Sequence, residues 1–311
     1  MHPIIYKRKL SLIYRKIVRG FFRLYISISN KQHVITKIEH TSLANYLYGI
    51  IGVAWLCERM NITVEFVFPK EKLSFFENSI LYQRNTNNTY HKKSFLINSS
   101  SDYLASIARK VARKDLPAEY GYEIISQLSI KPDIQHQADA WFNVHIKGDW
   151  VAVHYRGTDA HIHSEPDERK ISINSYIAWL KDILDNQCSI FACSDQAQFV
   201  DQMKYAFPNR TYSREIKRST DNKPIHWSDN NQYGNKDLYQ QKRDALIDIL
   251  ILAKASLIYT TGSQFVDVVK NFNPQIKIVS LDKRGEKQDV RNYIPISEES
   301  LLKARQNDHL T

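Results

Sequence analysis

Four segments in the second half of the chain run from apolar residues into groups that can bind or transfer charge. Residues 151–155 lead into Arg156, Gly157, Thr158 and Asp159, with His154 near the strand's end. Residues 189–192 lead into Cys193, Ser194 and Asp195, residues 256–260 into Thr261, Gly262, Ser263 and Gln264, and residues 277–279 into Ser280 and Asp282. An arginine at a strand tip presents a planar fork of donors that matches phosphate oxygens. A Gly-Ser pair that opens a helix offers backbone N–H groups and a hydroxyl to an anion. Each feature also has a plainer reading: a strand ending in a polar turn, or Ser263 as an ordinary N-cap. Cation and helix start on neighbouring loops together meet the needs of a diphosphate, and that combination favours the chemical reading.

The elements that must position these groups follow from hydrophobic periodicity. Strands are predicted at 34–38 and 63–68 around a helix at 43–60, which makes one β-α-β unit. The Asn-rich stretch 75–100 reads as loops or an insertion. Helical patterns follow at 102–114 and 119–128, and Lys131-Pro132 with the polar run to Asp139 reads as a connection between halves. From Trp150 on, strands at 151–155, 189–193, 256–260 and 277–280 alternate with helices at 173–186, 196–206 and 237–254 and with another after residue 260. That alternation predicts a parallel, doubly wound sheet whose strand ends converge on one crevice. The expected fold is therefore α/β, with two Rossmann-like domains facing a cleft. The predicted division is a basic amphipathic segment at 1–30, a first α/β domain at 31–149 and a second at 150–311.

The formal charge of +10 over 311 residues suggests nucleic acid until it is mapped. Residues 1–38 carry nine Lys/Arg and no Asp or Glu, whereas the remainder holds 34 basic and 33 acidic residues. A nearly neutral body argues against duplex binding, and no nucleic-acid partner is expected. On a helix, Leu10, Tyr14, Ile17, Phe21, Leu24 and Ile28 fall on one side and Arg8, Arg15, Lys16, Arg19 and Arg23 on the other. This is the pattern of a helix lying in the headgroup region of an anionic membrane, although a helix packed on the protein's own core or a solvated tail would also fit. Charges interrupt the apolar run too often for a membrane-spanning helix or a signal peptide. Three cysteines without CxxC spacing point away from disulfides and zinc and toward a reducing compartment. The expected location is cytoplasmic, peripheral at the inner face of the cell membrane.

The order of motifs from His154 to about Phe272 resembles the donor-binding half of the α-1,6-fucosyltransferase family. His154-Tyr155-Arg156-Gly157-Thr158-Asp159 is similar to its His-x-Arg-Arg-Thr-Asp motif. Residues 190–195, followed by Phe207-Pro208-Asn209, are similar to its Ser/Thr-Asp and Tyr-Pro-Asn block. Residues 245–255 resemble its Asp-containing helix, and Thr261-Gly262-Ser263-Gln264 its Ser-Ser-Gln loop. The resemblance implies a metal-independent, inverting glycosyltransferase of the GT-B type that takes a GDP-sugar as co-substrate. In it Arg156 would hold the β-phosphate, Ser263 and Gln264 would meet the phosphates and ribose, His154 and Asp248 would meet guanine, and Asp159 would belong to the donor site. No Asp-x-Asp triplet of the metal-holding kind occurs in the chain, so a basic group must take the cation's place.

The family keeps its general base in the loop after the arginine motif, which points to Glu165, with His161, His163 and Asp167 as rivals. A solvated acidic-histidine loop is the plainer reading. Asn45 lies in residues 41–49, which resemble a degenerate Gly-Leu-Gly-Asn-Gln loop that would admit the diphosphate from the facing domain; an N-capped core helix is the alternative. Gly157 departs from the family by standing where closer relatives carry a second arginine. The expected function is fucosyl transfer from GDP-fucose to a bacterial surface glycan or glycolipid such as a lipopolysaccharide or capsule intermediate. The alternatives are another nucleotide sugar, a non-catalytic GDP-sugar or glycan-binding module, and a basic peripheral scaffold.

Overall fold

A computed structural model describes residues 33–37, 43–59, 63–66, 75–76, 80–82, 94–98, 112, 116–157, 171–220, 235–281 and 293–294. These residues form an α/β protein with two compact units, divided between residues 113 and 114, with Leu43 and Ala44 grouped with the second unit.

The first unit holds a four-stranded sheet in the order β3-β2-β1-β4, from strands β1 (His33–Lys37), β2 (Thr63–Phe66), β3 (Ile80–Tyr82) and β4 (Ser94–Asn98). β1 pairs in parallel with β2 and β4, and β3 runs antiparallel on β2. Helix α1 (Leu43–Arg59) links β1 to β2 and is apolar on nearly every side, so it is buried all round, with Leu47, Ile50, Ala54 and Cys57 at 0% exposure. β3 and β4 correct the expectation of an irregular stretch at 75–100. The five residues SFLIN are a sufficient strand once β1 offers a parallel edge, although Asn-rich flanks mask them in the sequence.

The second unit is built on a six-stranded, all-parallel sheet made by β5 (Trp150–Tyr155), β6 (Ser189–Ser194), β7 (Thr211–Tyr212), β8 (Leu257–Thr260), β9 (Lys277–Ser280) and β10 (Tyr293–Ile294). Its spatial order is β10-β9-β8-β5-β6-β7. The chain starts in the middle, winds outward through β6 and β7, then returns to β5's other side and winds outward again, which is the doubly wound order of nucleotide-binding sheets.

Register decides what each face carries. Val153, Ala192 and Tyr259 lie side by side, as do His154, Cys193 and Thr260 on the opposite face. The first face is covered by α4 (Ile173–Ile183) and α5 (Ala197–Ala206), whose Tyr176, Trp179 and Phe199 build an aromatic core with Tyr155. Ser172 starts α4 by accepting the Ser175 N–H at 3.1 Å. The other face receives α6 (Asn235–Leu252), which packs on α7 (Gln264–Val269) and on α3 (Pro132–His145).

α3 corrects the reading of residues 131–139 as a connection. Pro132 stands in the first helical turn, where its missing N–H costs nothing, and Ile134 and Ala138 are fully buried four residues apart. Arg243 of α6 reaches Asp133 at 2.9 Å, and Lys254 reaches Asp139 at 2.8 Å. Residues 118–145, comprising α2 (Ala118–Ser126) and α3, therefore pack with the second unit, whereas the sequence pattern groups them with the first half. Among the described residues no helix is long and apolar enough to cross a membrane. The basic segment 1–30 lies outside the described residues.

Candidate functional site

The strand order of the second sheet reverses between β5 and β8, and ligands of doubly wound sheets bind beyond the carboxyl ends at such a point. Side by side across four strands, register sets Ser280, Thr260, His154 and Cys193 in one polar row at those ends. Next to this row lies a cavity of about 200 Å³, walled by His154, Arg156, Cys193, Asp195, Asp248 and Phe265 among others. Three of the four strand ends singled out in the sequence thus meet at one place. On the fourth strand Ser280 completes the polar row, while Asp282 lies outside the described residues.

Arg156 is tied to the β8 loop through its own backbone, whose N–H donates to Thr261 Oγ1 at 3.3 Å. Its guanidinium approaches Asp195, with Nε 3.7 Å from Oδ2, and the side chain stays 29% exposed. The second Asp195 oxygen accepts the Gly157 N–H at 3.2 Å, so one carboxylate orients both backbone and side chain of this tip. A Cβ on Gly157 would come within 1.9 Å of Gln196 Oε1, so any larger residue would have to displace the side chain packed over it.

The loop from β8 into α7 turns through Gly262, whose φ of 82° lies in the left-handed region. Its N–H donates to Thr260 Oγ1 at 3.2 Å. Ser263 is the N-cap of α7, its Oγ accepting the Phe265 N–H at 3.2 Å. Of this loop's residues and the start of α7, Phe265 contributes to the cavity wall, while Ser263 is buried and Gln264 half-buried beside it.

His154 is 3% exposed. Its Nδ1 lies 3.2 Å from Thr260 Oγ1, and its ring stacks on Phe265 with centroids 5.4 Å apart. Burial, helped by the charge of Arg156, pushes its pKa down to about 3, so the imidazole is neutral at physiological pH. Asp248 of α6 is 4% exposed, and burial raises its carboxyl above the usual range while neighbouring Arg214 pulls it back. Arg214 Nη1 donates to Asp248 Oδ1 at 3.0 Å, and the Cys193 thiol donates to Oδ2 at 3.6 Å. Burial and the adjacent carboxylate hold Cys193 well above the ordinary thiol range, so it serves as a donor rather than a nucleophile.

The sequence pattern did not single out Arg214, Arg218 or Asp244. Arg214 also donates to Asp244 Oδ1 at 2.8 Å and to the Asp244 carbonyl at 2.7 Å. Arg218 ties the same loop down by donating to the carbonyls of Ser194 and Arg214 at 3.2 and 2.8 Å. The available signal was the four-residue spacing of Asp244 and Asp248, which puts two carboxylates on one helical face for a cation to bridge. Asp159, Glu165, His161, His163 and Asp167 lie outside the described residues. Asn45 is on α1 in the first unit, within a segment that is helical from Leu43 rather than an open loop. Among the described residues no cluster of three or more His, Cys, Asp or Glu is arranged to hold a metal ion.

No protein-family model matches the chain, and no curated protein sequence matches it. Similar solved structures include NodZ α-1,6-fucosyltransferase soaked with GDP-fucose, at 15% identity and TM-score 0.49, covering 80% of this chain and 94% of that one. NodZ from Bradyrhizobium is similar at 12% identity and TM-score 0.47, with 81% and 95% covered. POFUT1 in complex with GDP-fucose is similar at 11% identity and TM-score 0.43, with 78% and 94% covered.

Proposed function

We propose that this protein is an inverting, metal-independent glycosyltransferase of the GT-B type that moves fucose from GDP-fucose onto a bacterial surface-glycan acceptor. The observation that carries this reading is the meeting of Arg156 with the Thr260–Gln264 loop at the switch point of a doubly wound sheet, beside a cavity walled by His154 and Asp248. A cation there does the work of a metal ion on a leaving diphosphate.

In this reading guanine enters the cavity, where the Asp248 carboxylate accepts the N1–H and exocyclic amine and neutral His154 stacks or hydrogen-bonds beside it. Ser263 and Gln264 meet the ribose and phosphates, and Asp159 completes the donor site. Arg156, steadied by Asp195, grips the β-phosphate. Glu165 takes the proton of the acceptor hydroxyl, whose oxygen attacks C1 of the sugar from the face opposite the diphosphate. The bond from C1 to the β-phosphate oxygen breaks, and its electron pair leaves with GDP, where Arg156 stabilises the charge. His161, His163 and Asp167 are the rival bases.

The first unit, which ends at residue 113, would present the acceptor, and the second, which includes α2 and α3, would hold the donor. Residues 1–30 would keep the enzyme on an anionic membrane surface where a lipid-linked glycan is made. One observation favours a second donor within the same class: Gly157, packed under Gln196, stands where the family carries a second arginine, and without that arginine the donor need not be fucose but another nucleotide sugar.

Calorimetry with GDP, UDP and CMP in excess chelator tests the reading. GDP alone should bind; binding of UDP or CMP with equal affinity would sink it. Glu165→Gln should keep GDP affinity and lose transfer by at least about a hundredfold, the typical worth of a general base. Undiminished transfer moves the role to His161, His163 or Asp167.

A further inference from the structure

Asp248 is one of the cavity's walls, and Arg214 stands behind it rather than among the wall residues. The guanidinium of Arg214 bridges Asp244 and Asp248, which are one turn apart on α6, and its side chain is only 11% exposed. It is itself held, because its carbonyl accepts Arg218 Nη2 at 2.8 Å and that same Nη2 donates to Ser213 Oγ at 2.7 Å. The loop after β7 therefore clamps one carboxylate of α6 in a fixed place.

Each carboxylate oxygen has room for two hydrogen bonds. Oδ1 of Asp248 takes one from Arg214, and Oδ2 takes one from Cys193. Among the described residues one acceptor site is left on each oxygen, and the two oxygens of a carboxylate match two adjacent N–H donors on the edge of a base. Resting on the nucleotide reading above, we propose that Arg214 is a positioning residue that fixes the Asp248 carboxylate so that it selects a base edge carrying two adjacent N–H groups.

Removing the guanidinium has two separable consequences. The carboxylate loses its fixed orientation, and it also loses the charge that offsets its burial. Among the described residues eight titratable groups face Asp248 or share its cavity: Arg214, Arg218 and Lys217 on the loop after β7, Asp244 on α6, Cys193 and Asp195 at the end of β6, and His154 and Arg156 at the end of β5. His154 and Cys193 are both neutral between pH 5.5 and 8, since burial drives one down to about 3 and the other well up.

The test compares the full-length protein with Arg214→Met, which removes the charge, and Arg214→Lys, which keeps the charge but lacks the planar fork that fixes both carboxylates. Affinities for GDP and for inosine diphosphate, which lacks the exocyclic amine, are measured by calorimetry at pH 5.5 and 8. The wild type should prefer GDP by roughly tenfold or more at both pH values, as expected for a hydrogen bond to a charged acceptor. Arg214→Met should bring that ratio near unity at pH 5.5 and recover part of it at pH 8. Arg214→Lys should be pH-independent with a ratio reduced severalfold. Adding Asp248→Asn to Arg214→Met should abolish the pH dependence.

An unchanged GDP preference in both variants overturns the proposal, as does an equal loss of both ligands at both pH values, which would mark Arg214 as scaffolding only. Should Arg214→Met not fold by circular dichroism, the ratio in Arg214→Lys decides alone. A nucleotide-free measurement separates this proposal from the reading it rests on. The side-chain carboxyl carbon of Asp248, followed by NMR, should titrate at a pH at least about one unit higher in Arg214→Met than in the wild type. If the wild type binds no GDP, the donor assignment fails, and an unshifted Asp248 titration would refute the clamp independently.

Discussion

The two faces of the second sheet come from the same strands yet do opposite work. On one face Val153, Tyr155 and Ala192 pack under Tyr176, Trp179 and Phe199, with ring centroids of Tyr155 and Phe199 4.9 Å apart. On the other, displaced by a single residue along each strand, His154, Cys193 and Thr260 face α6 and α7, and every one of them has a polar partner. Aromatic and aliphatic burial, with the Tyr155 and Tyr176 hydroxyls donating to the carbonyls of Ile171 and His154, stabilises the fold, and buried polar groups held by specific side-chain partners make the site. A period of two is enough to separate stability from chemistry within one strand.

If the faces are separate, damage to one should be felt weakly on the other. The largest effect is expected from Phe199→Ala, which empties a fully buried aromatic position and should cost about 3–5 kcal/mol of unfolding free energy. Denaturant unfolding measures it, and nucleotide affinity of the fraction that remains folded should be close to wild type. Arg156→Ala should do the reverse. Its side chain is partly exposed, so stability should change by less than about 1 kcal/mol, while transfer falls by about 10²–10³-fold for want of one charge-stabilising donor. Steady-state transfer from GDP-fucose, measured beside thermal unfolding, separates the two outcomes.

What could be read in advance follows the same division. His154, Arg156 and the Thr260–Gln264 loop were legible because alternating strands and helices force parallel strands, and parallel strands bring their carboxyl ends to one edge. The clamp on Asp248 was not, since Arg214 meets it across 34 positions of sequence, and only tertiary folding brings the β7 loop onto α6. β4 was masked by composition, its five residues being too short a signal between Asn-rich flanks. α3 was obscured by Pro132, which stops a helix in its interior but starts one at its first position.

A finer test uses proton linkage at His154. Its folded pKa of about 3 lies below the ordinary 6.5, so the unfolded chain binds the proton first as pH falls. The contribution of this group to stability is therefore complete above pH 6.5 and is lost progressively from there toward pH 3, at up to about 1.4 kcal/mol per pH unit. His154→Asn removes the titration, so the difference in unfolding free energy between wild type and variant should shrink by about 2 kcal/mol between pH 6.5 and 5 and stay constant above pH 7.5. A difference that is flat across the whole range would mean that the polar face admits water and that His154 titrates as it does in the unfolded chain.

The smallest effect is expected where the two faces meet, at the strand tip. Gly157 has ordinary backbone angles, so a substitution there is opposed by space rather than by strain. Its Cβ would lie 2.7 Å from Gln196 Cδ and 3.1 Å from Gln196 Cβ, the second of which cannot swing aside as a flexible side-chain end would. Gly157→Ala should cost about 1–2 kcal/mol of stability, the ordinary penalty of overpacking. Gln196→Ala removes Oε1 and Cδ and leaves only the 3.1 Å contact with its Cβ, so in the double variant part of that cost should vanish, leaving a coupling of about 1 kcal/mol in a double-mutant cycle. GDP affinity should follow the same pattern with smaller amplitude, because the Gly157 N–H and Arg156 share Asp195 and a displaced tip misplaces the guanidinium. Additive effects of the two substitutions would show that Gly157 is not held by Gln196, and a second arginine could then be accommodated at that position without rebuilding the β6 end.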